Sequence, residues 1–343
     1  MIAWLENPAV KWLLPVPMLA AMAPLVYLVF RGTWRGLEAE ASAWRRELDA
    51  RGEMDLRPLV ALVLGVLILA MQEYFGQMSF FQQRVAPALG RALHADARPG
   101  VRDRLALYAE LLGRLWWGLT RVLGYLTPYL VWRRFFPRDD LRDMGLRVAG
   151  LREHAWLYSL FVVIMVPVLV MVARQPDFGA YYPICATAGR SWLDFGVWEA
   201  VYISQFVGLE MFFRGWWLRA TRIFGTGAIF GMAVPYCMIH FGKPYLEACS
   251  AIIAGVVLGS LAMKTRSIWA GVAVHVTVAL LMDILSLARK GKLPSALTPS
   301  SARHFTFAHW YAVIWLAWLA AVTVLTLRAA RAWPAWRARR ALR

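Results

Sequence analysis

Charge and cysteine are both scarce in this sequence. Only 17% of the 343 residues are charged, whereas about a quarter are charged in a typical soluble domain. The three cysteines, Cys185, Cys237 and Cys249, are too few for a disulfide framework. No internal repeat is detectable, and no H-E-x-x-H motif supplies a compact set of metal ligands. These shortages argue against a soluble globular domain, a disulfide-stabilised scaffold and a protein built on a compact zinc motif.

The sequence is rich instead in long apolar runs. Hydrophobic residues make up 60% of the chain, and the mean hydropathy is +0.49. A run of about 18 apolar residues is long enough to cross a bilayer core. The best candidates lie near residues 12–30, 58–78, 155–173, 195–218, 226–242, 246–263, 267–287 and 308–327. A ninth run, 105–132, contains three charged side chains and fits either a span with a polar face or an interfacial helix. The sequence therefore predicts an all-α protein, a polytopic transmembrane helix bundle of eight or nine spans.

Basic residues outnumber acidic ones, and many of them flank the apolar runs. The chain has 38 Lys and Arg against 21 Asp and Glu, a formal net charge of +17. Arginine clusters lie at 133–138, 219–222 and 328–343. This placement is typical of the positive-inside rule and of attraction to anionic lipid. The charge therefore predicts the lipid bilayer as a partner, and it does not favour nucleic acid.

The positions of Lys and Arg also predict an orientation. The segment before 155–173, the turn near Gly225 and the segment 263–267 are basic and are expected on the cytoplasmic side. The loop 174–190 is poor in basic residues and is expected outside, although the basic connector 79–104 does not fit this scheme. The first apolar run lacks a basic start, so we expect it to be retained as a span. We therefore expect a multi-pass protein that is located in a bacterial inner membrane.

Several ionisable side chains lie inside the predicted spans, where each one is costly to insert and therefore often functional. Glu210 lies fifteen residues before Gly225 and His240 fifteen residues after it. At about 1.5 Å per residue, both are ~22 Å from that turn, on adjacent helices. His275 and Asp283 are eight residues apart and share a face of another helix. The spacing predicts a buried site of an acid and histidines, whose candidate members are Glu210, Arg214, His240, His275 and Asp283.

Each candidate also has a purely structural interpretation. Glu210 and Arg214 are spaced i,i+4, so the two charges can satisfy each other. A single histidine in an apolar helix is commonly a hydrogen-bonded packing residue. Asp283 lies near a span end, where an ordinary boundary charge is expected. Glu247 lies beside Lys243 in a turn and is expected to be solvated, and it stands as a reserve carboxylate.

Three segments of the chain resemble the motifs of a known family. They are "LEMFFRG" (209–215), "YCMIHFGKP" (236–244) and "HVTVA" (275–279). Together they resemble the CPBP family, the type II CAAX prenyl proteases and bacteriocin-processing proteins, whose pattern is Glu-Glu-x-x-x-Arg, Phe-x-x-x-His and His-x-x-x-Asn/Asp. By position, the resemblance matches the second Glu to Glu210, the Arg to Arg214, and the two His to His240 and His275. It covers roughly residues 150–290, and it implies an intramembrane protease core there.

The sequence departs from the family pattern at two positions. Leu209 replaces the first Glu, which is often assigned the role of activating water. Ala279 replaces the third-motif Asn, with Asp283 one turn further as a substitute. If activity is retained, another carboxylate must act, and we expect Glu210 in that role with Glu247 in reserve.

The resemblance implies an intramembrane endopeptidase that cleaves a membrane-anchored or exported protein. Glu210 would be the general base, His240 and His275 would act on the scissile carbonyl, and Asp283 would orient a histidine. A Zn²⁺ ion held by His240 and His275 is the alternative chemistry. A non-catalytic protein of the same fold is the alternative function, and a small transporter is a third. Residues 1–150 would be membrane helices and charged connectors, 151–290 the protease core, and 291–343 a helix and basic tail; the oligomeric state is not predicted.

Overall fold

The computed structural model describes residues 8–147 and 155–297 of the chain. Within these ranges the regular structure is helical, apart from one isolated bridge between Leu146 and Ser267. This confirms the all-α prediction. The predicted span 308–327 and the basic tail lie outside the described residues.

Eight longer helices carry most of the described chain. They are α1 (Pro15–Arg51), α2 (Arg57–Phe75), α3 (Ala109–Phe135), α4 (Ala155–Val172), α5 (Trp192–Glu210), α6 (Gly227–Met238), α7 (Tyr245–Thr265) and α8 (Trp269–Arg289). A π-helix, Met211–Trp217, follows α5 directly. Short helices occupy Pro8–Leu13, Met78–Phe80, Ala86–Ala92, Pro99–Leu107, Pro176–Tyr181 and Leu218–Ala220, with π-helical or 3₁₀ turns at Phe81–Val85, Ala95–Ala97, Leu141–Asp143, Ala186–Arg190 and Arg222–Phe224.

Four of these helices, α1, α2, α7 and α8, are long and apolar enough to cross a membrane. Two further apolar segments, Tyr158–Val172 and Gly227–Met238, are shorter than a full span. The helices indicate an integral membrane protein. The expected count of eight or nine spans is not confirmed, since the described residues contain four spans of sufficient length.

Two segments differ from the sequence prediction in their length. The first apolar run, predicted near residues 12–30, is part of a longer helix, because α1 continues without a break to Arg51 and ends at Gly52, whose φ of 64° is left-handed. Most of the interrupted run 105–132 lies in one helix, α3, with Pro128 inside it, whereas residues 105–107 belong to the preceding short helix. Charged side chains do not break these helices because helix formation depends on backbone propensity, which Glu and Arg satisfy well.

The described chain divides into two compact units. The first unit comprises residues 8–66, 128–147 and 210–268. In this unit α6 packs closely on α7. A Cβ atom added at Gly255 would lie 3.0 Å from Cβ of Ala233, and one added at Gly259 would lie 2.9 Å from Cε of Met232. Glycines four residues apart permit such close helix packing in membranes.

The second unit comprises residues 67–127, 155–209 and 269–297. Its core is an aromatic cluster on one side of α5, in which Trp198, Tyr202 and Phe206 follow one another at successive helical turns. The rings of Trp198 and Tyr202 are stacked with centroids 4.8 Å apart. Ala279 of α8 packs into the same cluster.

Candidate functional site

The first polar motif lies where α5 becomes the π-helix. Glu210 is the last residue of α5, and Arg214 is in the π-helix that follows. Nη1 of Arg214 is 3.3 Å from Oε1 of Glu210, and the two residues are 3% and 0% exposed. The pair predicted from the i,i+4 spacing is thus present and buried. π-Helical turns inside α-helices occur frequently at functional sites.

A tyrosine holds the backbone of this π-helix from outside. The hydroxyl of Tyr129 donates to the carbonyl oxygen of Met211 at 2.8 Å, and it is 3.3 Å from that of Met144. Gly215 makes this approach possible, because a Cβ there would collide with the Tyr129 hydroxyl and the Met144 carbonyl. A glycine is therefore required at this position of the "LEMFFRG" segment, because Tyr129 approaches its backbone closely.

Tyr236 of α6 covers the guanidinium of the ion pair. Cζ of Arg214 is 3.8 Å from the centroid of the Tyr236 ring, which is fully buried. Arg214 lies eleven residues before Gly225 and Tyr236 eleven residues after it. The contact agrees with the expectation that residues at equal distances from the Gly225 turn lie at the same level on the two adjacent segments. A cation–π contact removed from water stabilises by about 2 kcal/mol.

His240 follows the end of α6 and has a defined proton position. Its Nδ1 is 2.8 Å from the backbone carbonyl oxygen of Tyr236. A carbonyl oxygen only accepts hydrogen bonds, so Nδ1 must be the donor. The neutral imidazole then carries its lone pair on Nε2, the atom that can accept a proton or bind a metal. The first unit thus contains a carboxylate, a guanidinium, a phenol and an imidazole within two neighbouring helical segments.

A small cavity of about 20 Å³ adjoins Arg214. Its lining includes Arg219, Arg266 and Asp143 together with backbone at Gly215. A polar cavity of roughly this size accommodates one water molecule. The polar surroundings of the buried pair therefore extend to the Arg-rich end of the first unit.

Glu247, the reserve carboxylate, lies in the first turn of α7 and is ion-paired. Nζ of Lys243 is 2.9 Å from Oε1 of Glu247, and the two side chains are 19% and 17% exposed. The structural interpretation expected a solvated pair in the turn, and the pair is present but largely covered. A catalytic role for Glu247 stays a prediction.

The second unit contains the remaining candidates, His275 and Asp283 of α8. Asp283 is fully buried and accepts hydrogen bonds from Nε1 of Trp198 at 2.7 Å and from the backbone nitrogen of Ile184 at 3.4 Å. The ring of His275 stacks on that of Phe206, with centroids 5.2 Å apart and an interplanar angle of 17°. The predicted role of Asp283 in orienting a histidine stays a prediction, and the bonds described here hold it to Trp198 and Ile184.

The two departures from the family pattern are both buried. Leu209 is 4% exposed, and Ala279 is 4% exposed within the aromatic core of the second unit. Apolar side chains at these positions fill space that a carboxylate or an amide would need to share with polar partners.

One buried acid was missed by the sequence prediction. Glu199 of α5 is 5% exposed, and within the described part of the chain neither of its carboxyl oxygens has a hydrogen-bond partner. Burying an isolated carboxyl group costs less free energy when the group is neutral than when it is an anion. The signal was available, since Glu199 precedes Glu210 by eleven residues, or about three helical turns. Glu199 was overlooked because it lies among the tryptophans and tyrosines of the same apolar run.

The described residues contain no group of three or more His, Cys, Asp or Glu side chains arranged to hold a metal ion. His240 belongs to the first unit and His275 to the second. A Zn²⁺ site formed by His240 and His275 stays a prediction.

Comparison with known proteins locates the resemblance on this part of the chain. Residues 191–281 match the family model described as Type II CAAX prenyl endopeptidase Rce1-like. The match contains all three motifs and confirms the resemblance to the CPBP family, over a shorter region than the expected 150–290. Asp283 lies two residues beyond its end. No curated protein and no solved structure matches the chain.

Proposed function

We propose that this protein is a membrane endopeptidase of the CAAX-protease type, with Glu210 as its general base. The observation that carries the proposal is the buried pair of Glu210 and Arg214 on a π-helix, with Tyr236 on the guanidinium and His240 one turn beyond Tyr236. These residues lie in the region that matches the endopeptidase family model. The substrate class that fits is a membrane-anchored or exported protein, cleaved by a multi-pass protein of a bacterial cell membrane.

Glu210 has the chemistry required for hydrolysis of a peptide bond. Its carboxylate takes a proton from a water molecule, and the water oxygen attacks the scissile carbonyl carbon. The carboxyl then returns the proton to the amide nitrogen as the C–N bond breaks, which leaves a new carboxylic acid and a new amine. Removing such a general base usually lowers the rate by about 10²–10⁴-fold.

The neighbours of Glu210 fit supporting roles. Arg214 supplies the counter-charge that an ionised Glu210 carboxylate needs in the apolar interior, where an unpaired charge would be unstable. His240 donates through Nδ1 to Tyr236, so its Nε2 is an acceptor that can help orient the attacking water. In its neutral state His240 has no second donor for an oxyanion, and a water-orienting role suits that state.

A non-catalytic role within the same fold is the second candidate. It is favoured by Leu209, an apolar residue buried at the position of the first family Glu, and by the complete burial of Glu210 in an ion pair. In this alternative the pair and Tyr236 stabilise the fold, and the protein acts as a partner or scaffold for other membrane proteins.

The two functions are separated by comparing protein termini in membranes. Cells lacking the gene are complemented with the wild-type chain, with Glu210→Gln or with His240→Ala, and new N- and C-termini are identified by mass spectrometry. The endopeptidase predicts at least one membrane protein that is shortened only with the wild-type chain. Equal amounts of product from wild type and Glu210→Gln, at equal membrane levels of the two chains, would contradict the proposal.

A further inference from the structure

A second cavity in the first unit is larger than the one beside Arg214 and is lined by more arginines. It has a volume of about 180 Å³ and is lined by four arginines, Arg57, Arg138, Arg219 and Arg222, together with Trp132. The lining comes from the start of α2, the end of α3 with the loop after it, and the segment after the π-helix. These are the Arg-rich ends of the apolar runs.

The acidic residues in the lining are already engaged. Asp139 accepts two hydrogen bonds from Arg57, at 2.9 and 2.6 Å, and one from Nε1 of Trp132 at 3.0 Å. Asp140 caps the following turn by accepting from the backbone nitrogen of Arg142 at 2.9 Å. Asp143 is paired with Arg147, which does not line the cavity. Arg57 is thereby neutralised as well, and the cationic character of the cavity comes from the other three arginines.

Two of those arginines have no bonded counter-ion in the described part of the chain. Neither Arg219 nor Arg222 makes a hydrogen bond or an ion pair within 4 Å there, although both are partly buried. Burial lowers the pKa of Arg219, and the positive charges of Arg222 and Arg266 lower it further. The negative charges of Asp143 and Glu40 oppose this shift but do not cancel it. Partly buried cations of this kind are stabilised when an anion is brought between them.

The position of one guanidinium is fixed before any ligand arrives. Cζ of Arg222 lies 4.8 Å from the centroid of the Trp44 ring. A guanidinium held by an aromatic face loses little conformational freedom when it binds, and its planar fork matches the oxygens of a phosphate group. Basic pockets at the cytoplasmic ends of membrane helices are typical binding sites for anionic lipid head groups.

We propose that this cavity is a binding site for a phosphate group, held by Arg219 and Arg222 with Arg138 at its edge. The group is either the head group of an anionic lipid or a free phosphate ion, which share this chemistry. The site is separate from Glu210, but Arg219 and Asp143 also line the small cavity that adjoins Arg214. The proposal does not depend on the protein being a protease.

The test measures the melting temperature of the full-length protein, purified in detergent and depleted of phospholipid. One arm adds inorganic phosphate and compares it with chloride at equal ionic strength. The other arm adds phosphatidylglycerol and compares it with phosphatidylcholine. We expect stabilisation by phosphate, by phosphatidylglycerol or by both, and the pattern distinguishes a free ion from a lipid head group.

The matched variants are Arg219→Gln with Arg222→Gln, and, as a control with the same loss of charge, Arg133→Gln with Arg134→Gln in the exposed last turn of α3. Each guanidinium removed from the cavity should weaken the apparent affinity by about tenfold, while the control should bind as the wild type does. If the double variant does not fold, Arg222→Gln alone serves, since wild-type Arg219 remains.

Three results would overturn the site. The wild-type protein could respond to neither ligand, it could respond equally to phosphatidylcholine and phosphatidylglycerol without responding to phosphate, or the cavity variants could respond as the control does.

Discussion

Two buried carboxylates, Glu210 in the first unit and Asp283 in the second, are held in different ways. In the first unit Glu210 faces a guanidinium, and Tyr236 covers that guanidinium in turn. In the second unit the two bonds described for Asp283 come from neutral donors, the indole of Trp198 and a backbone nitrogen. The first arrangement places two opposite charges in an apolar interior, whereas the second relies on hydrogen bonds.

This difference favours the first unit as the place of the proposed chemistry. A buried ion pair is weak support for a fold, because replacing both charges with well-packed apolar residues is often neutral or stabilising. A protein that keeps one at the position of a family motif therefore has reason to need the charges. The third-motif position has instead become Ala279, part of an apolar core, so the first unit is the better place to look for activity.

The largest effect is expected from removing one partner of the ion pair. Arg214→Ala leaves the Glu210 carboxylate buried without its cation, which should lower the free energy of unfolding by about 3–5 kcal/mol. The double variant Glu210→Leu with Arg214→Met removes both charges and should recover most of that loss. Chemical denaturation in detergent measures both. If the double variant is as unstable as Arg214→Ala, the charges are needed by the fold itself.

A smaller effect is expected at Asp283 in the second unit. Asp283→Ala leaves the buried indole nitrogen of Trp198 without its acceptor and should reduce stability by about 1–3 kcal/mol. Asp283→Asn keeps an oxygen acceptor and should lose clearly less. The same denaturation experiment compares the two. An equal loss for Asn and Ala would show that the negative charge matters here too, and the contrast between the units would then fail.

The contact of Tyr236 with Arg214 can be separated from its hydroxyl. Tyr236→Phe retains the aromatic face above the guanidinium and should alter the unfolding free energy by less than about 1 kcal/mol. Tyr236→Leu removes the π-face and should lower that free energy by about 2 kcal/mol, together with any loss in packing. A Phe variant as unstable as the Leu variant would assign the effect to the hydroxyl instead.

The smallest effect concerns pH and the first unit alone. Burial opposes ionisation of Asp139, but hydrogen bonds from Arg57 and Trp132 outweigh it and hold the pKa of Asp139 below its usual value. The stabilisation is therefore fully present above the unfolded pKa of about 4 and is lost as the pH falls through the lower folded pKa. Asp139→Asn should flatten the acid limb of the stability profile between about pH 5 and 2. An unchanged acid limb would contradict the assignment.

The helical class and the approach of the two segments that flank the Gly225 turn follow from sequence, because both depend on periodicity and on distance from a turn. Arg214 and Tyr236 meet as their equal spacing from Gly225 requires. The i,i+4 pair of Glu210 and Arg214 forms even though the backbone there is π-helical. Local spacing was sufficient for these contacts.

Contacts made by distant parts of the chain could not be predicted in the same way. Nothing in the sequence near Asp283 indicates Trp198 or Ile184 as its donors, since the partners are 85 and 99 residues away. The hydrogen bond from the Tyr129 hydroxyl to the carbonyl oxygen of Met211 is equally unpredictable, because a hydroxyl can reach a backbone oxygen anywhere along a helix. The span count is not confirmed because composition does not reveal where a helix ends. The apolar run 226–242, for example, forms a helix, α6, that ends at Met238 and is shorter than a full span.

The central claim, that Glu210 is the catalytic carboxylate, is tested most directly by cleavage rates with the purified protein and one identified substrate. Wild type is compared with Glu210→Gln, with Glu210→Asp, which keeps the charge opposite Arg214, and with Glu247→Gln as a matched change elsewhere in the first unit. We predict a loss of about 10²-fold or more for Glu210→Gln, slow cleavage by a folded Glu210→Asp, and wild-type rates for Glu247→Gln. Wild-type rates for a folded Glu210→Gln, or loss of cleavage in Glu247→Gln instead, would contradict it.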